Sequence, residues 1–329
     1  MNSTRLRAGV VGAGFVGSIH ARALADNPDV ELVAICARTP TRAEPLARRL
    51  GVTFEISVRD LIARHEPDLV CICTGNDQHV GPSLEAIEGR AHLFVEKPMA
   101  FRVEEARRMV DAAAAAGVSL GVNFNHRFAE PYRRALEFVQ SEGFGEPAYV
   151  DMKFAGDLYP VLNDPYCMLI ETQGHSFDLM RLFGGEIGEV SAYLADPRGI
   201  GVYTSAAIAV RFANGAVGTL LGSWDSSYDH PSAVVMEISG TEGRAVVDNV
   251  VDGVRLFRHE RDGYAEWHPG VFHSDHRDFW RTIDTHLAAF VSSILDGTEP
   301  PVTGRDGLRA LELSYAAIRS FEEQRPVTT

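Results

Sequence analysis

The sequence predicts an α/β chain in two parts: an N-terminal doubly wound parallel sheet, then an α+β domain with one large, open, mainly antiparallel sheet. Three observations predict it. The chain has 329 residues, about two domains at ~150 residues each. Strand-like and helix-like segments alternate up to residue 122. From residue 123 strand-like segments follow one another with turn signals between them. A composition of 45% hydrophobic and 23% charged residues is that of a globular protein and excludes a disordered or low-complexity architecture. The boundaries are drawn at 1–122 and 123–329.

In the first part, Arg7–Val11 is a buried strand running into glycines, and Phe15–Asn27 has helical spacing that Pro28 stops. Glu31–Cys36 is a strand. Pro40–Leu50 is a helix with proline in its first turn and Gly51 just past its end. A short helix at Arg59–His65 precedes the strand Leu69–Thr74, the helix His79–Gly89 and the strand His92–Val95. The helix Phe101–Ala116, capped by Gly117, leads to the strand Ser119–Val122. Such alternation means parallel strands joined by crossover helices. In the second part, strands are predicted at Tyr149–Phe154, Val190–Leu194, Ser205–Phe212, Ala216–Ser223, Val234–Ser239, Ala245–Asp248 and Gly253–Phe257. Asn214-Gly215 is a hairpin dipeptide. Without long helices between them, these strands are expected to pair antiparallel. Helices are expected at Pro131–Ser141, His175–Phe183, Phe279–Leu295 and Gly307–Gln324, the last (about 307–324) packing back on the first domain.

A net charge of −14 argues against nucleic acid and anionic lipid as partners. Cys36, Cys71, Cys73 and Cys167 are too few for a disulfide scaffold and suit a reducing compartment. MNSTRLR runs straight into VVGAGFVG without an apolar signal core, and no window is long and apolar enough for a membrane span, so the cytoplasm is the expected location.

Gly12-Ala13-Gly14-Phe15-Val16-Gly17 matches G-x-G-x-x-G between a strand and a helix. Gly12 permits the tight turn, Gly14 lets the backbone approach a pyrophosphate, and Gly17 allows close helix–strand packing. The helix start supplies N–H donors and a positive dipole end. The motif alone is weak, but in this context it reads as the fingerprint of a Rossmann domain that binds NAD or NADP, the alternative being a glycine-rich turn with no ligand. NAD sites place Asp or Glu at the end of the second strand; here Ala37 stands there, followed by Arg38 and Thr39, with Arg42 one turn on. Arginine suits a 2′-phosphate, so the reading leans to NADP, the alternative being that these are ordinary solvated arginines.

Lys97 and Lys153 are the only lysines in an arginine-rich chain. Glu96-Lys97-Pro98 directly follows the strand His92–Val95. In open α/β sheets ligands bind beyond the carboxyl ends of strands, where Thr74, Gly75, Asn76 and His79 also fall. A lysine amine, unlike a guanidinium, can shed its proton on burial, so a proton-transfer role explains why position 97 is not arginine, the alternative being a surface lysine at a turn. Glu171, His175 and Asp178 are spaced i, i+4, i+7, one face of a helix. A carboxylate one turn from an imidazole sets its tautomer. A metal reading of this face, lacking a second ligand cluster, gives way to no metal. The plain alternative is a helix start with an acidic first turn. Tyr228 in SSYDHP and Lys153 on a strand are candidates for substrate contact, or a polar loop and a solvent-facing side chain. His268, His273 and His276 form a cluster read as a lid or an interface.

Together the glycine loop, Thr74-Gly75-Asn76 with His79, Glu96-Lys97-Pro98, Arg127-Phe128 and the Glu171/His175/Asp178 spacing resemble the Gfo/Idh/MocA oxidoreductase family, nearest its inositol- and sugar-dehydrogenase-like branches. The resemblance implies hydride transfer between nicotinamide C4 and a secondary alcohol carbon of a sugar, inositol or related polyol. It implies Lys97 and His175 as the proton-handling pair, Glu171 as acidic partner, and Arg127 and Asp178 at substrate hydroxyls. It places Gly12, Gly14, Phe15, Val16, Gly17, Arg38, Thr39, Arg42, Thr74, Gly75, Asn76, His79, Glu96 and Lys97 on the cofactor. A homodimer or homotetramer through the C-terminal sheet is also implied. Glu171 departs from the family's Asp, and Gln173 from its Gly. A non-redox lyase or hydrolase with a retained NAD is the alternative on the same scaffold; a cofactor-sensing regulator without catalysis is disfavoured by the intact Lys97, Glu171 and His175.

Overall fold

The computed structural model describes residues 5–157, 164–259, 262–272 and 274–329. The first compact unit comprises 1–125 and 280–309, the second 126–279 and 310–329. In chain order the elements begin with β1 (Leu6–Val11), α1 (Phe15–Asp26), β2 (Val30–Cys36), α2 (Pro40–Leu50), β3 (Thr53–Glu55) and α3 (Val58–His65). They continue with β4 (Leu69–Ile72), α4 (Val80–Glu88), β5 (His92–Val95), α5 (Val103–Ala116) and β6 (Leu120–Val122). Then come α6 (Glu130–Val139), β7 (Pro147–Ala155), α7 (Gln173–Gly184), β8 (Ile187–Ala195), β9 (Ser205–Phe212) and β10 (Val217–Ser223). The chain ends with β11 (Val234–Gly240), β12 (Gly243–Asp248), β13 (Gly253–Arg258), β14 (Ala265–Trp267), α8 (Arg281–Asp296), α9 (Gly304–Glu323) and β15 (Val327–Thr328).

The first unit is a six-stranded parallel sheet in the order β3-β2-β1-β4-β5-β6, as its alternating pattern predicts. All four residues of β4 are buried, as expected of a strand covered on both faces. Helix α8 packs into the same core through Leu287, Phe290 and Val291. The order reverses between β1 and β4, and a doubly wound sheet opens its ligand crevice at the carboxyl ends of its strands at such a switch point.

The second unit is a nine-stranded sheet in the order β14-β13-β12-β11-β7-β10-β9-β8-β15. It is mainly antiparallel, with β9 and β10 folded back on each other around Asn214-Gly215. One pair departs from the expectation: β7 and β10 run parallel, with Tyr149 beside Val217. The reason is α7. It connects β7 to β8 as a crossover, so β8 runs in the direction of β7. The antiparallel run β8-β9-β10 then returns β10 to the side of β7 in that same direction. Among the described residues no helix is long and apolar enough to cross a membrane.

Candidate active site

The first unit holds the glycine loop between β1 and α1. Gly12 has φ +111°, and a Cβ there would lie 2.2 Å from the carbonyl oxygen of Cys73. A Cβ on Gly17 would lie 2.1 Å from the Gly12 oxygen. These two glycines let α1 pack tightly against the strand ends. Gly14 is different: a Cβ there would meet nothing within 4 Å, so its absence is not demanded by the protein's own packing. Gly14 is the N-cap of α1 and, being glycine, brings no side chain of its own to the first-turn N–H groups. A cleft of about 1010 Å³ opens over this point. It brings together Gly12, Gly14, Phe15, Val16, Arg38, Thr39, Arg42, Thr74 and Gly75 of the predicted cofactor set, with Ile56, Val58 and Pro82 as apolar walls. Gly17, Asn76, His79, Glu96 and Lys97 are not among its lining residues.

The residues fit a dinucleotide. The start of α1 turns N–H donors and a positive dipole end toward the cleft, an arrangement that suits a pyrophosphate. At the end of β2 the cleft presents Ala37, Arg38, Thr39 and Arg42, with no carboxylate from that strand end. The nearby Glu55 is buried, its oxygens 2.9 Å from both Arg64 and His65. The Arg38 guanidinium donates to Oε1 of Gln78, a residue the sequence reading did not single out.

Lys97 is half-buried just past β5, and its bond to Pro98 is cis. Its surroundings are tied down by long-range bonds. The Glu96 carboxylate lies 2.6 Å from Nε2 of His20 and accepts from Asn123 at 2.7 Å. Burial pushes this carboxyl up, but the His20 and Asn123 bonds and the Lys97 charge outweigh it and hold it below the ordinary carboxylate range. His79 is buried, with Nδ1 2.8 Å from the Pro98 oxygen and Nε2 3.2 Å from the Thr74 oxygen. Burial lowers its pKa. The expected cofactor contacts Glu96 and His79 thus turn polar atoms to protein partners: His79 ties the turn after β4 to the turn after β5.

In the second unit the Glu171 region differs from the expected single helical face. Met168–Thr172 forms a π-helical turn, and α7 starts only at Gln173. The wider turn takes Glu171 off the α-helical register; His175 and Asp178 stay one turn apart on α7. Such turns recur at functional sites. The Trp224 indole pins this one by donating to the Thr172 hydroxyl at 2.9 Å. Glu171, His175 and Asp178 are all buried. The resemblance implies Asp178 at substrate hydroxyls; in the structure its carboxylate meets Arg127. It accepts a two-pronged bond from Arg127, 2.7 Å at Nε, and holds that guanidinium in place. Gln173 turns to the sheet, donating to the Phe154 oxygen at 3.3 Å and accepting from Ser176 at 2.8 Å. Gly222 makes room for it, since a Cβ there would lie 2.7 Å from the Gln173 amide.

Tyr228 remains 42% exposed, its ring packed over Gly156 and edge-on to Phe154. Burial and the charge of Asp157 push its hydroxyl up to about 12. Lys153 is not brought to this site. Side chains alternate along a strand, and Phe154 faces His126 and His175, so Lys153 points to the opposite face beside exposed Leu221. Of the histidine cluster, His268 pairs with Glu266 at 3.0 Å and His276 lies edge-on to Trp267; His273 lies outside the described residues. One residue sequence reasoning missed is His126. Its ring lies 4.0 Å from that of His175 with a 5° tilt. Its place beside Arg127 was its only local signal.

A family profile described as "Oxidoreductase family, NAD-binding Rossmann fold" matches residues 6–124, and one described as "GFO/IDH/MocA C-terminal domain" matches 132–246. The chain belongs to the Gfo/Idh/MocA family. It is therefore an oxidoreductase whose first unit is an NAD-binding Rossmann fold. Within this family it is 29% identical to a myo-inositol 2-dehydrogenase of Thermotoga maritima over 334 residues, 98% of each chain. An inositol 2-dehydrogenase of Rhizobium meliloti is 27% identical, covering 98% of this chain and 99% of the relative. The fold matches a crystal structure of an oxidoreductase from Agrobacterium radiobacter in complex with NAD+, L-tartaric acid and magnesium, with a TM-score of 0.88, 21% identity and coverage of 99% and 98%. Neither curated relative's name points to the lyase or hydrolase alternative.

Proposed function

We propose that this oxidoreductase exchanges a hydride between NADP and a secondary alcohol carbon of a sugar, inositol or related polyol. The observation that carries the reading is Lys97, one of two lysines in the chain, at the carboxyl end of β5 with its flanks anchored by His79 and by the bonds of Glu96 to His20 and Asn123. When bound, nicotinamide C4 supplies the hydride acceptor or donor. The first unit is the cofactor domain and the second the substrate domain.

Lys97 and His175 take the hydroxyl proton as the C–O bond gains double-bond character, and return it in the reverse direction. Positioned proton transfer contributes about 10²–10⁴-fold. Glu171, buried in the π turn, is the acidic partner of His175. Arg127, held by Asp178, contacts substrate hydroxyls, and Tyr228 adds a further contact. Arginines 38 and 42 favour a 2′-phosphate, which the missing strand-end acid does not oppose. The inositol dehydrogenase names of the relatives support the polyol class. A cytoplasmic homo-oligomer assembled through the nine-stranded sheet completes the proposal.

The test is a screen of purified protein against inositols, aldoses and amino- and phosphosugars with both cofactors, read by nicotinamide absorbance. Reduction of NADP by at least one polyol is expected. No turnover of either cofactor across the panel would overturn the reading.

A further inference from the structure

We propose that His126 is a positioning residue for His175: stacked flat against it, the His126 ring sets the plane in which His175 presents its nitrogen to the reacting hydroxyl. The inference rests on the reading of His175 as a proton-handling group.

A histidine ring turns about a broad, roughly two-fold terminal torsion, so burial alone does not define its plane. A general base works only within hydrogen-bond reach and alignment of the proton it takes. The His126 ring supplies a restraint on that plane. It lies 4.0 Å from His175 at a 5° tilt, and the two residues are only 2% and 5% exposed. His126 is itself held on several sides. Phe279 meets it edge-on at 5.4 Å, Phe154 lies at 5.7 Å, and Tyr132 stacks on it at 6.5 Å with a 16° tilt. Phe154 also touches the His175 ring, at 6.5 Å.

A second tie is independent of the rings. His126 sits in the short 3-10 turn Asn125–Phe128, and its neighbour Arg127 is locked by two bonds to Asp178, three residues beyond His175 on α7. The turn carrying His126 and the helix carrying His175 are therefore joined both by the stack and by an ion pair with a fixed fork geometry. Two anchors of this kind hold a ring plane more firmly than either alone.

The stack needs a flat ring, and an aliphatic side chain of similar bulk lacks one. Kinetics are run on the polyol that turns over fastest in the screen, with myo-inositol as the first probe. His126→Leu is expected to lower kcat by about 10- to 100-fold with KM little changed, a part of the full proton-transfer contribution. His126→Phe is expected to restore most of it. In a His175→Gln background, His126→Leu is expected to cost nothing further, because it acts through His175. Should His126→Leu lose its fold, His126→Asn takes its place.

A separate readout needs no turnover. In NMR spectra of histidine-labelled protein, the His175 ring signal carries the ring-current shift of its neighbour, kept in His126→Phe and lost in His126→Leu. Loss in the Phe variant equal to that in the Leu variant would overturn the proposal, as would wild-type kcat in His126→Leu or additive losses in the double variant. A ring-current shift that follows the stack while His175→Gln remains fully active would instead sink the proton-handling reading.

Discussion

The three glycines of the loop are expected to separate on substitution, because the structure gives them different duties. In Gly17→Ala the new methyl meets the Gly12 oxygen at 2.1 Å, against the roughly 3.5 Å of comfortable contact, so α1 must retreat by more than an ångström. Overpacking of this kind costs about 1–3 kcal/mol, and a backbone obstacle puts it at the upper end. At about 2–4 °C per kcal/mol, Tm falls by roughly 6–12 °C. Gly12→Ala adds an unfavourable φ of +111° to a 2.2 Å clash and is at least as damaging. Gly14→Ala is the informative variant. Its φ of −75° and ψ of −171° suit alanine, and its Cβ meets no protein atom within 4 Å. The reduced freedom of the unfolded chain offsets the poorer N-cap, and stability stays within about 1 kcal/mol. The methyl stands where a pyrophosphate must approach, so NADPH affinity falls at least tenfold, about 1.4 kcal/mol. Calorimetric titration with NADPH beside a thermal melt checks both. Wild-type affinity in Gly14→Ala would refute the loop as the dinucleotide cradle, and a wild-type Tm in Gly17→Ala would refute the packing argument.

Ala37→Asp introduces a carboxylate suited to the ribose and repels a 2′-phosphate, so the NADP/NAD ratio of kcat/KM should fall by about tenfold or more; an unmoved ratio counts against Arg38 and Arg42 as phosphate ligands. Asp178→Asn removes the charge from a buried carboxylate paired with Arg127, whose side chain is 13% exposed, and breaking such a pair costs about 3–5 kcal/mol in thermal or urea unfolding. A loss below ~1 kcal/mol would show the pair to be dispensable. Burial keeps His79 and, more weakly placed, His92 below their ordinary pKa of about 6.5. Their neutral forms therefore favour the fold above that value, and this contribution is lost as pH falls beneath it. The drop in Tm between pH 7.5 and pH 5.5, roughly a unit either side of that value, should be smaller in His79→Gln than in the wild-type chain; an equal drop removes His79 from the account.

Local signals carried much of the fold. The bounds of α2 and β5 match the expectation, because proline, glycine and short apolar runs mark them within a few residues. The turn at Asn214-Gly215 likewise needs only its own dipeptide. Strands β3, β14 and β15, of two or three residues, exist through their neighbours and leave no period to read. The parallel β7–β10 pair depends on recognising α7 as a crossover, a matter of order in space. The π turn inserts its extra residue without any change in residue type, so spacing alone puts Glu171 on the α-helical face.

The site divides in the same way. Gly12, Gly17, Lys97 and His175 stand out by type and spacing. What holds them does not, since His20 and Glu96 are 76 residues apart and Arg127 and Asp178 are 51 apart. Alternation sets Lys153 opposite Met152 and Phe154, but that these two take the covered face of β7 is visible only in the structure.

The claim on which the account turns is that Lys97 moves a proton. Lys97→Arg keeps the charge and most of the length while replacing an amine, a side chain able to hand over a proton, by a guanidinium that does not. Its turnover with the preferred polyol, measured beside its affinity for NADPH, should fall by about 10²–10⁴-fold while NADPH binds as in the wild type. Near-normal turnover in that variant would contradict the account.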